Sequence, residues 1–197
     1  MPRPKLRTPA LRERVLRAAV ATLADDGVAG FTTRRVAHGA GTSIPAVYEL
    51  FGDRAGLVRE VFFEGFRQLR HRFDRLPDTG DPRADLLRTV DVFREFVRDN
   101  PMLADVMFSR PFTDFDPGPA DLEAAGATRR FIVGRVRRCV DAGLLAGNET
   151  DIAHVLLALA QGLAAQETAG WLGSSRASVN RRWTLAFRAA LDGFAPA

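Results

Sequence analysis

The chain lacks the features that mark membrane and secreted proteins. No apolar run approaches the roughly 20 residues that a transmembrane helix needs, and the N-terminal stretch lacks the apolar segment and small-residue cleavage site of a secretory signal. Its single cysteine, Cys139, cannot form an internal disulfide, as expected in a reducing cytoplasm. We therefore expect a cytoplasmic protein with no membrane partner.

Signatures of catalysis and of bound cofactors are also missing. The three histidines, His38, His71 and His154, are scattered and have no metal-ligand spacing with Cys139. Neither a glycine-rich phosphate loop nor a G-x-S-x-G turn occurs in the sequence. These absences argue against an enzyme, and we expect neither a metal nor a cofactor.

Helical periodicity dominates what the chain does contain. Apolar residues recur at three- and four-residue spacing, and no segment shows the period-two alternation typical of strands. We predict an all-α protein of about nine helices. Their expected ranges are about 9–26, 33–40, 44–51, 54–75, 83–99, 101–109, 120–142, 150–168 and 174–194.

Residues 31–54 carry the pattern that is most informative about function. They predict two short helices joined by a turn at Ala40-Gly41-Thr42, with Thr32 or Thr33 as the N-cap of the first. A helix-turn-helix of this kind can place its second helix in the major groove of DNA.

The net charge of +4 is concentrated in the same part of the chain. Residues 1–55 hold nine basic and five acidic residues, whereas the remainder holds nineteen of each. Basic side chains that neutralise phosphates release counterions, so this asymmetry favours nucleic-acid binding. A solvated basic face unrelated to function is the alternative. Arg7 and its neighbours form either an arm that reaches a phosphate or the minor groove, or an untethered tail.

The N-terminal region resembles the TetR family of bacterial transcriptional regulators over some fifty residues, which read RERVLRAAVATLADDG and then GFTTRRVAHGAGTSIPAVYELFGDRAGLV. More loosely, VFREFVRDNPMLADVMFSRP and DAGLLAGNETDIAHVLLALAQGLAA are similar to the WHG-type class of C-terminal domains in that family. That class usually has a His-Gly pair where this chain has Gln161-Gly162. The resemblance implies a three-helix DNA-binding head at 1–55. A long helix would join this head to a ligand-binding and dimerisation domain at 56–197.

The resemblance also implies that the helix at about 44–51 enters the major groove. Base reading then falls to Ile44, Pro45 and Ala46, which are apolar, so we expect contacts with thymine methyl groups more than guanine edges. The residues expected to contact the phosphate backbone are Thr33, Arg34, Arg35, Thr42, Ser43, Tyr48 and Arg54. Arg35 alternatively pairs with a nearby acid.

An effector cavity among helices four to seven is a further implication of the resemblance. Its expected lining is Phe62, Phe66, Phe93, Phe96, Met102, Met107, Phe108 and Phe112, with polar anchors among Gln161, Arg94, Arg98 and Arg110. The alternative is that these apolar side chains are ordinary core. The expected effector is a small hydrophobic or amphipathic molecule.

The last two predicted helices are rich in Ala, Gly and Leu and predict a homodimer through a four-helix bundle. The sequence thus predicts a homodimeric, ligand-responsive transcriptional regulator. The main prediction is a repressor that the effector releases from a near-palindromic double-stranded DNA operator. An activator or a constitutive DNA binder of the same fold is one alternative. A helical small-molecule carrier or enzyme with a vestigial DNA-binding head is another.

Overall fold

The computed structural model describes residues 8–109 and 111–196, and within them the chain forms nine α-helices and no strand, as the periodicity predicted. The helices are α1 Pro9–Gly30, α2 Thr33–Gly39, α3 Ile44–Phe51, α4 Arg54–Asp74, α5 Pro82–Asp99, α6 Pro101–Phe108, α7 Pro119–Asp141, α8 Glu149–Thr168 and α9 Arg176–Gly193. The predicted ranges differ from these by a few residues at most. The possible arm at Arg7 and the possible anchor Arg110 lie outside the described residues.

Side-chain caps explain where the helices begin. The Thr8 hydroxyl accepts a hydrogen bond from the Leu11 N–H at 3.1 Å at the start of α1. Thr32, one of the two candidate caps, does the same for α2 by accepting from the Arg35 N–H at 3.3 Å. Each cap satisfies an N–H group that has no partner within its own helix, and this fixes the helix start in the sequence.

Contacts divide the chain into two compact units, each built from two segments. Unit 1 comprises the described residues of Met1–Arg67 and Asn100–Ala124, and unit 2 those of Gln68–Asp99 and Ala125–Ala197. The first part of α4 and all of α6 therefore belong to the same unit as the helix-turn-helix. A linear division by function at residue 55, which the resemblance implies, stays a prediction.

The core of unit 1 is formed where α1 packs against α2 and α6, and α2 against α3. Phe62 is buried at the centre of an aromatic cluster and makes edge-to-face contacts with Phe63, Phe66 and Phe115, at centroid distances between 5.0 and 5.6 Å. Such pairs stabilise a core beyond the area that they bury.

Unit 2 has its own apolar core, in which α5 packs against α8 and α8 against α9. The buried side chains that form it include Phe73, Leu86, Phe93, Phe96, Ile132, Leu156, Ala160, Trp183 and Phe187. Each unit therefore has its own set of packed apolar side chains.

A buried ionic cluster connects α5, α7 and the segment between α4 and α5. Asp85 is 2% exposed, and its carboxylate accepts hydrogen bonds from the Thr79 N–H at 2.9 Å and the Thr79 hydroxyl at 2.7 Å. Arg138 donates to the same carboxylate at 3.0 Å, and the buried Arg135 lies 3.6 Å from it. Arg135 also donates to Asp78.

Two opposing effects set the pKa of Asp85. Burial alone raises it, because the charged form is poorly solvated. The hydrogen bonds from Thr79 and from Arg138 favour the charged form and lower it by more, so the pKa lies below its ordinary value. Asp85 is therefore ionised in the folded protein at neutral pH.

The described residues contain neither a candidate membrane span nor a candidate metal cluster, and their one cysteine is buried. Within residues 8–109 and 111–196, no helix combines the length and apolar character that crossing a bilayer requires. In the same ranges, no three His, Cys, Asp or Glu side chains cluster as metal ligands would. Cys139 is buried, and burial raises the pKa of its thiol.

Replacing Asp85 by Asn is expected to lower the midpoint of thermal unfolding at pH 7, because Arg135 and Arg138 then lose their buried counter-charge. The folded pKa of Asp85 lies below the unfolded value of about 3.9, so its stabilisation is present at neutral pH and is lost as the pH falls below about 4. The difference between the two proteins should therefore shrink in acid.

Asp91→Asn, on the same helix, is the matched control. Burial and the neighbouring Glu95 raise the pKa of Asp91, so neutralising it should cost no stability. Equal losses in the two variants at pH 7 would show that the cluster around Asp85 has no special role.

Candidate nucleic-acid interface

The turn between α2 and α3 depends on a glycine. Gly41 has a φ of +58°, in the left-handed region that residues with a Cβ rarely adopt. The Thr42 N–H donates to the Ala37 carbonyl at 2.9 Å, and this bond closes the end of α2. The chain can therefore turn sharply, and α3 begins only three residues after Gly41, at Ile44.

The junction between α3 and α4 is equally tight. Asp53 caps α4 by accepting from the Gly56 N–H at 2.7 Å, as its position before the helix suggests. A Cβ at Gly56 would lie 1.9 Å from the Phe51 carbonyl oxygen. The close approach of the two helices therefore requires glycine at position 56, a requirement that the sequence pattern did not reveal.

Helix α3 is buried on one side and open on the other. Ala46, Val47 and Phe51 are buried, and Ala46 is only 1% exposed. Tyr48 is 42% exposed, and Pro45 is also exposed. Of the three expected base-reading residues, Ala46 has almost no surface to offer. Pro45 and the half-buried Ile44 keep accessible surface, and base reading by them stays a prediction.

Two residues expected to contact phosphate lie at the start of α3. The Ser43 hydroxyl oxygen accepts from the Ala46 N–H at 3.3 Å, which leaves its own hydrogen available to donate to a phosphate. Ser43 is exposed and Thr42 is half-buried. At the start of α2, Thr33 is buried, so its hydroxyl has little surface for a phosphate.

The three arginines expected to contact DNA differ in their surroundings. Arg35 forms an ion pair with Asp26 at 2.5 Å, which is the alternative that the sequence left open. Arg54 pairs with Asp114, and its guanidinium lies 5.0 Å from the centre of the Phe112 ring. Arg34 is exposed and has no ion pair with a residue that the structure describes. Arg34 is therefore the arginine whose charge is most available to a phosphate.

Other basic residues of the head region have structural roles that the sequence did not indicate. Arg14 donates from Nε to the Ala40 carbonyl at 2.8 Å, at the end of α2. Arg12 pairs with Glu60 at 2.8 Å, and its guanidinium lies 5.1 Å from the centre of the Phe51 ring. Their partners are 26 to 48 residues away in the chain, so no local signal could have identified these contacts.

The residues expected around an effector are distributed over both units. Those in unit 1 are Phe62, Phe66, Met102, Met107, Phe108 and Phe112, and those in unit 2 are Phe93, Phe96 and Gln161. In unit 1, Phe66 makes edge-to-face contacts with Phe62 and Phe108. Effector binding by these residues stays a prediction.

Phe93 borders a small apolar cavity in unit 2, between α5, α7 and α8. The cavity has a volume of about 20 Å³. Such a space is large enough for about one water molecule, whereas ligand pockets measure roughly 300–1,000 Å³. An effector could occupy this site only if the surrounding helices separated.

A glycine-based turn, a second helix with one buried and one open side, and a wholly helical fold in the described residues together define a helix-turn-helix DNA-binding protein. Two family models match the chain: "Bacterial regulatory proteins, tetR family" over residues 15–61, and "Tetracyclin repressor-like, C-terminal domain" over residues 86–193. This protein belongs to the TetR family of DNA-binding transcriptional regulators.

Individual relatives agree with this assignment. The chain is 31% identical over 139 residues to the tetracycline repressor protein class C of Escherichia coli, a match covering 71% of this chain and 58% of the repressor. It is 34% identical over 83 residues to the HTH-type transcriptional regulator BetI of Stenotrophomonas maltophilia (strain R551-3), covering 42% of each. A solved structure of a protein of unknown function from Rhodococcus sp. RHA1 has a TM-score of 0.80 and 26% identity, covering 99% of this chain and 100% of that one.

The head geometry predicts that Gly56→Ala destabilises the protein by about 1–3 kcal/mol, the usual cost of overpacking, because the added methyl group would overlap the Phe51 carbonyl. Gly39→Ala is the matched control. A Cβ there would meet only the Ala18 methyl group, at 3.6 Å. Its free energy of unfolding in urea should be unchanged or slightly higher. Equal stability of the two variants would contradict the tight α3–α4 junction.

Proposed function

We propose that this protein is a homodimeric transcriptional repressor that leaves its operator when a small hydrophobic or amphipathic effector binds. The observation that carries the proposal is the open side of α3, where Ser43, Pro45 and Tyr48 are exposed, and Arg34 on α2 is exposed as well. The E. coli relative is named a repressor, which favours repression over activation. The protein would act in the cytoplasm, where it meets double-stranded DNA.

The DNA contacts divide into two kinds. Arg34, Ser43 and the Tyr48 hydroxyl would contact phosphates and set the position of α3 in the major groove. Ile44 and Pro45 would contact base edges through apolar surface, and the thymine C5-methyl group is the complementary feature of a base pair. The phosphate contacts supply affinity for any sequence, whereas the apolar contacts select the site.

The exposed surface of α8 and α9 supports dimerisation through these helices. Val155 is 50% exposed and Leu185 is 67% exposed, and both are large apolar side chains. Small exposed residues accompany them at positions 158, 162, 165 and 189. A Cβ at Gly162 would meet no atom within 4 Å, so space for a second helix is open there. Two copies would pair as a four-helix bundle.

Effector control would follow from linkage. A ligand that binds better to a conformation with low operator affinity must lower operator affinity by the same factor. Within unit 1, the Arg54–Asp114 ion pair and the edge-to-face contact of Phe112 with Phe31 connect the segment after α6 to the helix-turn-helix. A shift of that segment would therefore be transmitted to the head.

Binding to the DNA upstream of the protein's own gene tests the proposal. We expect site-specific retardation in a gel-shift assay, with an affinity that falls steeply as salt increases. A hydrophobic effector, found by thermal-shift screening, should reverse it. Specific binding that no effector reverses would favour a constitutive binder, and absence of DNA binding at low salt would favour a carrier or enzyme with a vestigial head.

Arg34→Gln and Ile44→Lys are predicted to change DNA binding in different ways. Arg34→Gln should weaken binding to all sequences and reduce the slope of log affinity against log salt by about one per protomer. Ile44→Lys should keep the affinity for phosphates but shift the preferred base at one position of each half-site from thymine towards guanine. Selection from a random operator library measures the base preference, and gel-shift titrations at several salt concentrations measure the slope.

Arg181→Gln is the control for charge, because Arg181 is an exposed arginine on α9, outside the head. An Ile44→Lys protein that selects the unchanged site would refute base reading by α3. An Arg34→Gln protein that behaves like Arg181→Gln would refute the phosphate contact.

For the dimer, Ala158→Glu is predicted to raise the dissociation constant about tenfold or more, because two like charges would face each other across the two-fold axis. Ala142→Glu makes the same change at an exposed position after α7 and should leave the dimer intact. Sedimentation velocity measures both. A wild-type protein that sediments as a monomer at micromolar concentration would rule out this dimer.

A further inference from the structure

A groove lined by arginines lies in unit 2 between α5 and α9. Its volume is about 620 Å³, which is within the usual range for small-molecule sites. The groove does not belong to the head, and it is distinct from the 20 Å³ apolar cavity that Phe93 borders. Arg94 and Arg98, two of the expected effector anchors, line it, whereas none of the expected apolar lining residues does.

The lining of the groove is rich in arginine. Five arginines line it: Arg83, Arg94 and Arg98 from α5, and Arg176 and Arg188 from α9. A single carboxylate, that of Asp91, is among the described lining residues. Clustered arginines on neighbouring helices repel one another, so a bound anion would stabilise the arrangement.

The five arginines are not equally available. Arg83 pairs with Asp192 at 2.7 Å, and Arg94 donates to both oxygens of Glu167, at 2.7 and 2.9 Å. The remaining three, Arg98, Arg176 and Arg188, are exposed, and none makes a hydrogen bond or ion pair with another residue in the described part of the chain. These three guanidinium groups keep their donors for a ligand.

The apolar part of the groove has a buried floor and a more accessible wall. Trp183 and Phe187 form the floor and are only 5% and 3% exposed, with rings nearly parallel at 6° and centroids 5.9 Å apart. The half-buried Leu87 and Val90 are the more accessible apolar side chains of the lining. Two contacts fix the position of Trp183. Its Nε1–H donates to Glu167 at 2.7 Å, and the Arg94 guanidinium lies 5.1 Å from its ring centre. The groove thus offers a fixed apolar surface beside free cationic donors.

We infer that this groove binds an organic carboxylate with an aromatic or branched apolar body. The planar guanidinium groups of Arg98 and Arg188 match a carboxylate, to which arginine donates two parallel hydrogen bonds. The apolar body would lie against Leu87 and Val90, the half-buried apolar side chains of the lining. The groove is lined by α9 positions 176, 180, 184 and 188, whereas the proposed dimer surface includes positions 185 and 189.

Isothermal titration calorimetry of the full-length protein without DNA tests this inference, with 2-naphthoate as the anionic probe and 2-naphthamide as its neutral analogue. We expect saturable binding of 2-naphthoate that weakens with salt, and binding of the amide at least about tenfold weaker. The double variant Arg98→Gln/Arg188→Gln should bind 2-naphthoate at least about tenfold more weakly. Arg181→Gln, a variant outside the groove, should bind it as the wild type does.

Several outcomes would overturn the site. They are absence of saturable 2-naphthoate binding, equal binding of acid and amide, and an equal loss in the Arg181→Gln control. A change of oligomeric state in the double variant, without any probe binding, would assign the groove to a second copy of the chain instead. Because no DNA is present, the result is independent of operator binding.

Discussion

Burial of one side of α3 is the constraint on which the rest of the DNA-binding head depends. Val47 and Phe51 hold the helix against the core of unit 1, and Ala46 lets the backbone approach closely. The glycine turn at Gly41 and the tight junction at Gly56 place this helix within a few residues of its neighbours. Since the inner side is fixed by packing, the outer side can carry recognition residues without any cost to the fold.

The arginines of the head fall into two groups, which the composition alone does not distinguish. Some arginines hold the bundle together, as Arg14 does at the end of α2 and Arg12 does with Glu60. Others have internal partners that compete with DNA, as Asp114 does for Arg54. A net positive charge attracts a nucleic acid at long range, whereas the proposed contact would depend on cations such as Arg34, which has no ion pair within the described residues.

Unit 2 combines a rigid interior with two different exposed surfaces. Asp85 and its arginine partners connect α5 and α7 through buried hydrogen bonds, and such satisfied networks favour one arrangement of helices. On α9, one set of positions carries apolar residues suited to a second chain, and another carries arginines beside Trp183. Under the two proposals, α9 would carry both the dimer surface and part of the ligand groove.

The amino-acid sequence by itself determined the helices, their caps and the helix-turn-helix. These depend on local features: the spacing of apolar residues, a capping hydroxyl such as Thr32, and a glycine where φ must be positive. It also determined the family, because many residues match its pattern jointly. Only the tertiary structure decided that Ala46 and Thr33 are buried, that Arg35 pairs with Asp26, and that arginines of α5 and α9 share a groove. These outcomes depend on contacts between distant parts of the chain. Helical periodicity is local and does not indicate which residues of two distant helices meet.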